Sequence, residues 1–316
     1  MKNKVWAPIG VMTVLAVVVA VVAIVIRSQK PPEQVAFAYQ PFGSNLTFFV
    51  AVEKGFFKKR GIEIDPIEII SANDAAKFVV NGSVAGNATV PLNVLLNIEE
   101  NEPGTMKIFM VRTTSSRQWS DYLLVKKGSR IKTIADLKGK KVGGYPGSAQ
   151  QTILKLVLGN SMPQKDIVTV ELPPATQLLA LESGQVDAII TYDELAQIAL
   201  NTGVAQVLAE NPLCKDIVDP FYGFPYVLST DFIRKHPTTT RKIRDAMYEA
   251  ADFIRKHDTE SRQIMAKWVG TKPEIASKVR LWDQVKEEDI DRAALQKLAD
   301  IYFENGVIKK KINTDS

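Results

Sequence analysis

Strand-like apolar stretches alternate with amphipathic helical stretches along most of this chain, and the alternation starts over near its middle. The first series reads as a strand at Val35–Tyr39, a helix from Leu46 to Lys59 stopped by Gly61, and a strand from Ile62 to Ile70. A helix opening at Ser71-Ala72-Asn73-Asp74 and closing at Asn81-Gly82 follows, then a short strand Val84–Val90, a helix Leu92–Ile98 behind Pro91, and a strand Met106–Arg112. The second series has strands at Val142–Tyr145, Ile167–Leu172, Val186–Thr191 and Ala205–Leu208, separated by helices at Ala149–Leu158, Thr176–Ser183 and Glu194–Leu200. Repeated strand-then-helix order implies α/β architecture with mostly parallel sheets covered by helices, because parallel neighbours need a crossover and a helix supplies it.

The two series echo each other. Asn81-Gly82-Ser83-Val84-Ala85 corresponds to Ser183-Gly184-Gln185-Val186-Asp187, and Tyr39-Gln40-Pro41-Phe42-Gly43-Ser44 corresponds loosely to Tyr145-Pro146-Gly147-Ser148. Two such units are too few for a solenoid; they read as two similar lobes, and 316 residues suffice for both. Tyr122–Val125 and Pro225–Leu228 are apolar strands flanking the second series and are expected as the crossover strands of a two-strand hinge. The expected layout is therefore lobe one over residues 31–122, lobe two over 123–224, and a return to lobe one over 225–316. The return is expected to be helical, with helices at Arg241–Lys256, Ser261–Val269, Pro273–Ser277 and Asp289–Glu304.

The amino end has a different character. Val5 to Ile26 is an almost unbroken apolar run, long enough to span a bilayer as a helix. No cysteine follows it for lipidation, and Ala36-Phe37-Ala38, the nearest small-x-small site, lies inside the first expected strand. Residues 1–30 are thus expected to be a retained membrane anchor, with a cleaved secretory signal as the alternative, and the folded part outside the cytoplasm. The formal net charge of +5 comes largely from Lys2, Lys4, Arg27 and Lys30 around this run. The remainder is near neutral, which argues against a nucleic-acid partner.

Ligands of open α/β sheets sit beyond the carboxyl ends of the strands. In lobe one that rule selects Phe42, Ser44, Asn45, Ser71, Asn73, Asn87, Thr89 and the run Thr113–Ser116, with Ser115 as its representative. In lobe two it selects Tyr145, Gly147, Ser148, Ala149, Gln150, Tyr192 and Asp193, and near the return crossover Tyr222 and Phe224. Hydroxyls, amides and aromatic rings suit a small polar or anionic solute with an organic part. Each Ser, Thr or Asn alone is equally at home as a cap or turn residue. Arg112 and Arg117 could add positive charge, but surface placement is the ordinary expectation for each.

One stretch of lobe two stands out. Asp136-Leu137-Lys138-Gly139 closes a short helix, Lys140–Gly144 is a strand, Pro146-Gly147 a turn, and Ser148 the expected cap of the next helix. A glycine turn opening into a helix N-terminus suits an anion, and it is also what an ordinary strand–helix connection looks like.

Four ordered motifs resemble a known family. Ala51-Val52-Glu53-Lys54-Gly55-Phe56-Phe57-Lys58-Lys59-Arg60-Gly61-Ile62-Glu63-Ile64, Asp136-Leu137-Lys138-Gly139-Lys140-Lys141-Val142, Gly147-Ser148, and Ala180-Leu181-Glu182-Ser183-Gly184-Gln185-Val186-Asp187-Ala188 fit elements of the solute-binding proteins of ABC importers. The branch is the one for nitrate, sulfonates, taurine and thiamine precursors. The resemblance implies a clamshell that binds a solute, without cofactor or catalysis, and works as a monomer with an ABC permease and its ATPase. It also implies that Gly147, Ser148 and Ala149 help hold a sulfonate, nitrate or phosphate-like group. Tyr192-Asp193-Glu194 departs from the aromatic-acid-proline step of many relatives. Its two acids count against nitrate and suit an amine-bearing or cyclic nitrogenous solute.

Two other functions compete. Pyrimidine-forming enzymes share the resemblance but use a histidine and a cysteine-rich stretch, whereas this chain has Cys214 alone with His236 and His257. The other is a ligand-sensing ectodomain, against which it counts that only four residues precede the apolar run and no signalling segment is expected beside it.

Overall fold

The computed structural model describes residues 31–69 and 72–314. The expected anchor at residues 1–30 and the site candidate Ser71 lie outside that set, as do the side chains of Asn73, Ser148 and Ala149. Among the described residues no helix is long and apolar enough to cross a membrane.

In chain order the strands are β1 (Glu33–Tyr39), β2 (Ile62–Glu68), β3 (Gly86–Asn87), β4 (Met106–Thr114), β5 (Asp121–Lys126), β6 (Lys141–Gly144), β7 (Val168–Glu171), β8 (Ala188–Tyr192), β9 (Ala205–Glu210), β10 (Phe221–Ser229) and β11 (Asp283–Lys286). The α-helices are α1 (Leu46–Glu53), α2 (Ala72–Val80), α3 (Leu92–Asn101), α4 (Ser148–Gly159), α5 (Pro174–Ser183), α6 (Asp193–Asn201), α7 (Pro212–Asp216), α8 (Thr230–Lys235), α9 (Pro237–Lys256), α10 (Asp258–Val269), α11 (Pro273–Ala276) and α12 (Arg292–Glu304).

These elements form an α/β fold with two sheets. One has the order β11-β4-β10-β3-β1-β2, the other β7-β6-β8-β5-β9. In the first, β1 pairs in parallel with β2 and β3, whereas β10 runs against β3 and β4, and β11 against β4. In the second, β6 is parallel to β7 and β8, and β5 runs against β8 and β9. The expectation of mostly parallel sheets is therefore corrected to mixed sheets. The reason is the route of the chain. β4 and β9 both run toward the facing ends of the sheets, and the next strand enters the other sheet from that same end, so β5 and β10 must run backwards.

Tyr122–Val125 and Pro225–Leu228 lie within β5 and β10, so the passages between sheets are residues 115–120 and 211–220. Asp121 ties the two passages together. Its carboxylate accepts from Thr114 Oγ1 at 3.1 Å and from the Leu213 backbone N–H at 2.9 Å. Asn211 donates its backbone N–H to the Asp121 carbonyl at 2.9 Å and its side-chain amide to the Ser115 carbonyl at 3.0 Å. Burial pushes the Asp121 carboxyl up to about 6, against the pull of those donors.

Local chemistry explains the boundaries. Gly61 at φ 71° ends the segment that follows α1, where an L side chain would be strained. Thr133 and Asp136 form a reciprocal capping box on the short turn before β6. The carboxyl-terminal region follows the expected helices closely but is not helical throughout. Asp283–Lys286 adds β11 to the sheet edge, placing Gln284 opposite Arg112. Four residues are too few for a strand period to register in the sequence. Lobe one has a core of aromatic and aliphatic side chains around Phe37, Phe48, Phe49, Phe57 and Tyr226, closed by α9 residues Ile243, Met247 and Ala250.

Candidate functional site

The facing ends of the two sheets meet around Arg112. The residue is 2 % exposed near the end of β4. Its position follows from strand alternation. Met110 and Arg112 share a face of β4 with their partners Tyr226 and Phe224 on β10. The guanidinium carbon lies 4.2 Å from the ring centres of both Phe224 and Trp282. Each such contact is worth about 0.5–2 kcal/mol. Yet Nε and Nη1 are shut off from solvent and have no hydrogen-bond partner. Burial lowers the Arg112 guanidinium to about 10, opposed by Tyr226, Tyr192 and Glu194. It therefore stays charged at neutral pH, with two unused donors.

Lobe two supplies the opposing wall. Tyr192, the last residue of β8, stacks on Tyr145 at 5.1 Å and meets Phe224 and Trp282 edge-on at 5.6 Å and 5.4 Å. The first turn of α6 adds two acids. Asp193 is fully buried, and its carboxylate accepts from the Arg280 backbone N–H and from Gln197. Glu194 reaches into lobe one. Its Oε1 has no partner and packs where a side chain on Gly43 would sit. Burial raises both carboxyls. For Glu194 the neighbouring Asp193 raises it further, while Arg112 and the Gly43 N–H pull it back.

A polar array on lobe one completes the wall. Asn45 and Thr89 are buried and joined by a 3.1 Å hydrogen bond from Thr89 Oγ1, and the Thr89 backbone donates to Asn87 Oδ1 at 2.8 Å. Asn87 Nδ2 is buried without a partner, as are Gln284 Oε1 and Trp282 Nε1. Tyr226 donates its hydroxyl to the Ser44 carbonyl at 3.3 Å, linking this array to the Arg112 face. Buried unpaired polar atoms are few in native proteins, and several gather here from both lobes. Within lobe two, behind Tyr145 and Tyr192, a cavity of about 20 Å³ has room for about one water.

The structure sorts the sequence-derived candidates. Ser44, Asn45, Asn87, Thr89, Tyr145, Tyr192 and Asp193 belong to this meeting place. Phe42 begins the turn beside it and is 37 % exposed. Ser115 instead caps its own loop, accepting from the backbone of Arg117 and Gln118 at 3.3 Å and 3.2 Å. Tyr222 accepts from the Asp291 backbone at 3.2 Å and so anchors the start of α12. Gly147, at φ 105°, occupies the cap position of α4, so Ser148 is the first helical residue rather than the expected cap. Arg117 is exposed as expected; Arg112 is not, and this corrects the surface expectation. Gln284 and the adjacent Trp282 carried no signal as site residues, because β11 was too short to recognise. Glu194 was visible as part of an acidic pair without its direction being known.

Two α/β lobes whose strand ends meet around Arg112 and a set of aromatic rings make up the candidate site. The chain belongs to the NMT1/THI5-like family, which it matches over residues 44–261. It is 29 % identical over 199 residues to the putative aliphatic sulfonates-binding protein of Escherichia coli (strain K12), covering 61 % of each chain. The chain thus spans about three fifths of that relative's length. Among solved structures it resembles the periplasmic aliphatic sulphonate binding protein SsuA from Escherichia coli, with a TM-score of 0.73 at 22 % identity over 90 % of this chain and 91 % of the other. The desulfurization enzyme DSZB also shares the fold, with a TM-score of 0.67 at 15 % identity over 90 % and 95 %. The expected likeness to binding proteins of ABC importers is borne out, and enzymes occur among the same relatives.

Proposed function

We propose that this protein captures a small organic solute bearing a sulfonate or similar anionic group between its lobes and delivers it unchanged to an ABC permease and its ATPase. The observation that carries this reading is Arg112, whose two buried, unpartnered nitrogens lie against Phe224 and Trp282, rings that Tyr192 of lobe two meets edge-on. A sulfonate oxygen fits those donors, and an alkyl or aryl part fits Tyr145, Tyr192, Phe224 and Trp282. Each bond to the charged group contributes about 1.5–3 kcal/mol. Micromolar affinity needs about 8 kcal/mol, so contacts from both lobes must add to Arg112. The unpaired Oε1 of Glu194 favours a solute that also carries an amine.

A binding role is favoured over catalysis by the disposition of the reactive side chains. Cys214 is buried on α7, and desolvation pushes its thiol up to about 12. His236 pairs with Glu33 at 3.1 Å and His257 stacks on Phe253 at 4.2 Å, both on lobe one and away from Cys214. Incubating the protein with alkanesulfonates and taurine, then weighing the recovered compounds by mass spectrometry, is expected to return them intact. Turnover that depends on His236, His257 or Cys214 would establish an enzyme instead.

We also place the folded part outside the cytoplasm, as a monomer held at the membrane by residues 1–30. Cell fractionation with amino-terminal sequencing is expected to find the intact chain in the membrane fraction. A soluble mature form beginning after Ile26 would make the apolar run a signal only.

A further inference from the structure

Strand β4 has a second end. Arg112 lies near its carboxyl end, whereas Met106, Lys107, Ile108 and Phe109 at its start line a separate cavity of about 440 Å³ in lobe one. Ligand pockets run from about 300 to 1,000 Å³. The floor is apolar: Leu92, Leu95 and Leu96 of α3, Phe109 of β4 and Leu295 of α12. The mouth is cationic, with Lys107, Arg244 and Arg292. Two carboxylates share the lining, and both are engaged. Glu99 takes the Gly104 backbone N–H on both oxygens at 2.9 Å, and Glu287 faces Arg244 at 3.8 Å. Lys107 and Arg292 have no ion pair among the described residues. Arg244 Nε and Thr240 Oγ1, both shut off from solvent, have no hydrogen-bond partner.

We infer that this cavity is a second binding site, for a free single-tailed amphiphile whose anionic head meets Arg244 and Thr240 and whose alkyl tail lies over Leu92, Leu95 and Leu96. An inorganic anion would leave the apolar floor exposed to water, and a neutral alkane would leave the unpaired donors unused. The head–tail combination satisfies both. This site is independent of the proposed solute pocket, because it is built from other residues at the opposite end of β4.

The probe is a series of straight-chain carboxylates, hexanoate to decanoate, titrated calorimetrically into the full chain and its Arg112→Met variant. The variant is expected to keep a saturable single site that tightens roughly threefold to fourfold with each added methylene. The double replacement Arg244→Gln, half-buried, and Arg292→Gln, exposed, is expected to weaken that site about tenfold with an unchanged melting temperature. Decanol, which has the tail without the charge, is expected to bind about tenfold more weakly than decanoate. The inference fails if Arg112→Met protein binds no decanoate saturably below millimolar concentration. It also fails if the double variant, or decanol, binds as tightly as the parent pair. Loss of sulfonate binding in Arg112→Met with decanoate binding retained separates the two sites.

Discussion

Arg112→Met is expected to reduce affinity for an anionic solute by two to four orders of magnitude while leaving the unliganded protein equally or more stable. The two effects have opposite signs because they come from different states. In the bound state, Nε and Nη1 would lose two charge-assisted bonds at about 1.5–3 kcal/mol each, and tenfold corresponds to about 1.4 kcal/mol. In the unliganded state the same charge is a burden. Its drop to about 10 from an ordinary value near 12.5 amounts to on the order of 3 kcal/mol. The sign follows from the direction: a base lowered by folding costs stability at every pH below its folded value, and neutral pH lies well below. Methionine removes that cost and keeps an apolar stem. It also gives up two ring contacts worth about 0.5–2 kcal/mol each, which offsets most of the gain. Thermal unfolding without solute and calorimetric titration with it separate the two quantities. Unchanged affinity combined with lost stability would make Arg112 a structural cation and remove the basis of the proposed pocket.

Gly43→Ala is expected to weaken binding about fivefold to a hundredfold without contacting the solute. A Cβ there would run into Glu194 Oε1 and come within 2.8 Å of Met265 Sδ. Overpacking of this kind costs about 1–3 kcal/mol, and here most of the cost falls on the state in which Glu194 of lobe two lies against lobe one. With the lobes apart, only the end of the flexible Met265 side chain has to shift. The variant should therefore fold normally but stay extended, visible in small-angle scattering as a radius of gyration that does not shrink with solute. A Gly43→Ala, Glu194→Ala double variant is expected to regain much of the closure, since the main colliding atom is gone. If Gly43→Ala binds and compacts like the parent, Glu194 does not enter lobe one in the bound form.

Much of the fold was legible because its signals are local. The strand–helix alternation, the stop at Gly61 and the boundaries of α9 through α12 depend on neighbouring residues. Strand direction was less legible. β5 and β10 read correctly as strands, but their reversal follows from where the chain re-enters each sheet. At the site, the rule of strand ends found Asn45, Asn87, Thr89, Tyr145 and Tyr192. Ser115 and Tyr222 also lie at suitable strand ends, and there their polar atoms bond nearby backbone. The rule undervalued Arg112, because nothing near it in sequence announces Trp282 or Gln284 across the sheet. A buried cation is recognised by what surrounds it, and those neighbours lie about 170 residues further along the chain.

The placement of β10 also governs the order in which lobe one can be completed. It lies between β3 and β4, which end at Asn87 and Thr114, yet it begins only at Phe221. During synthesis the early strands wait with open edges on either side of a gap, whereas the lobe-two sheet, β5 through β9, is already continuous. The strand that fills the gap is also the one that carries Phe224 and Tyr226. The gap in the sheet and the Phe224 and Tyr226 side of the Arg112 surroundings are therefore filled in the same event, a chain stopped before Phe221 has neither, and Trp282 with β11 follows later.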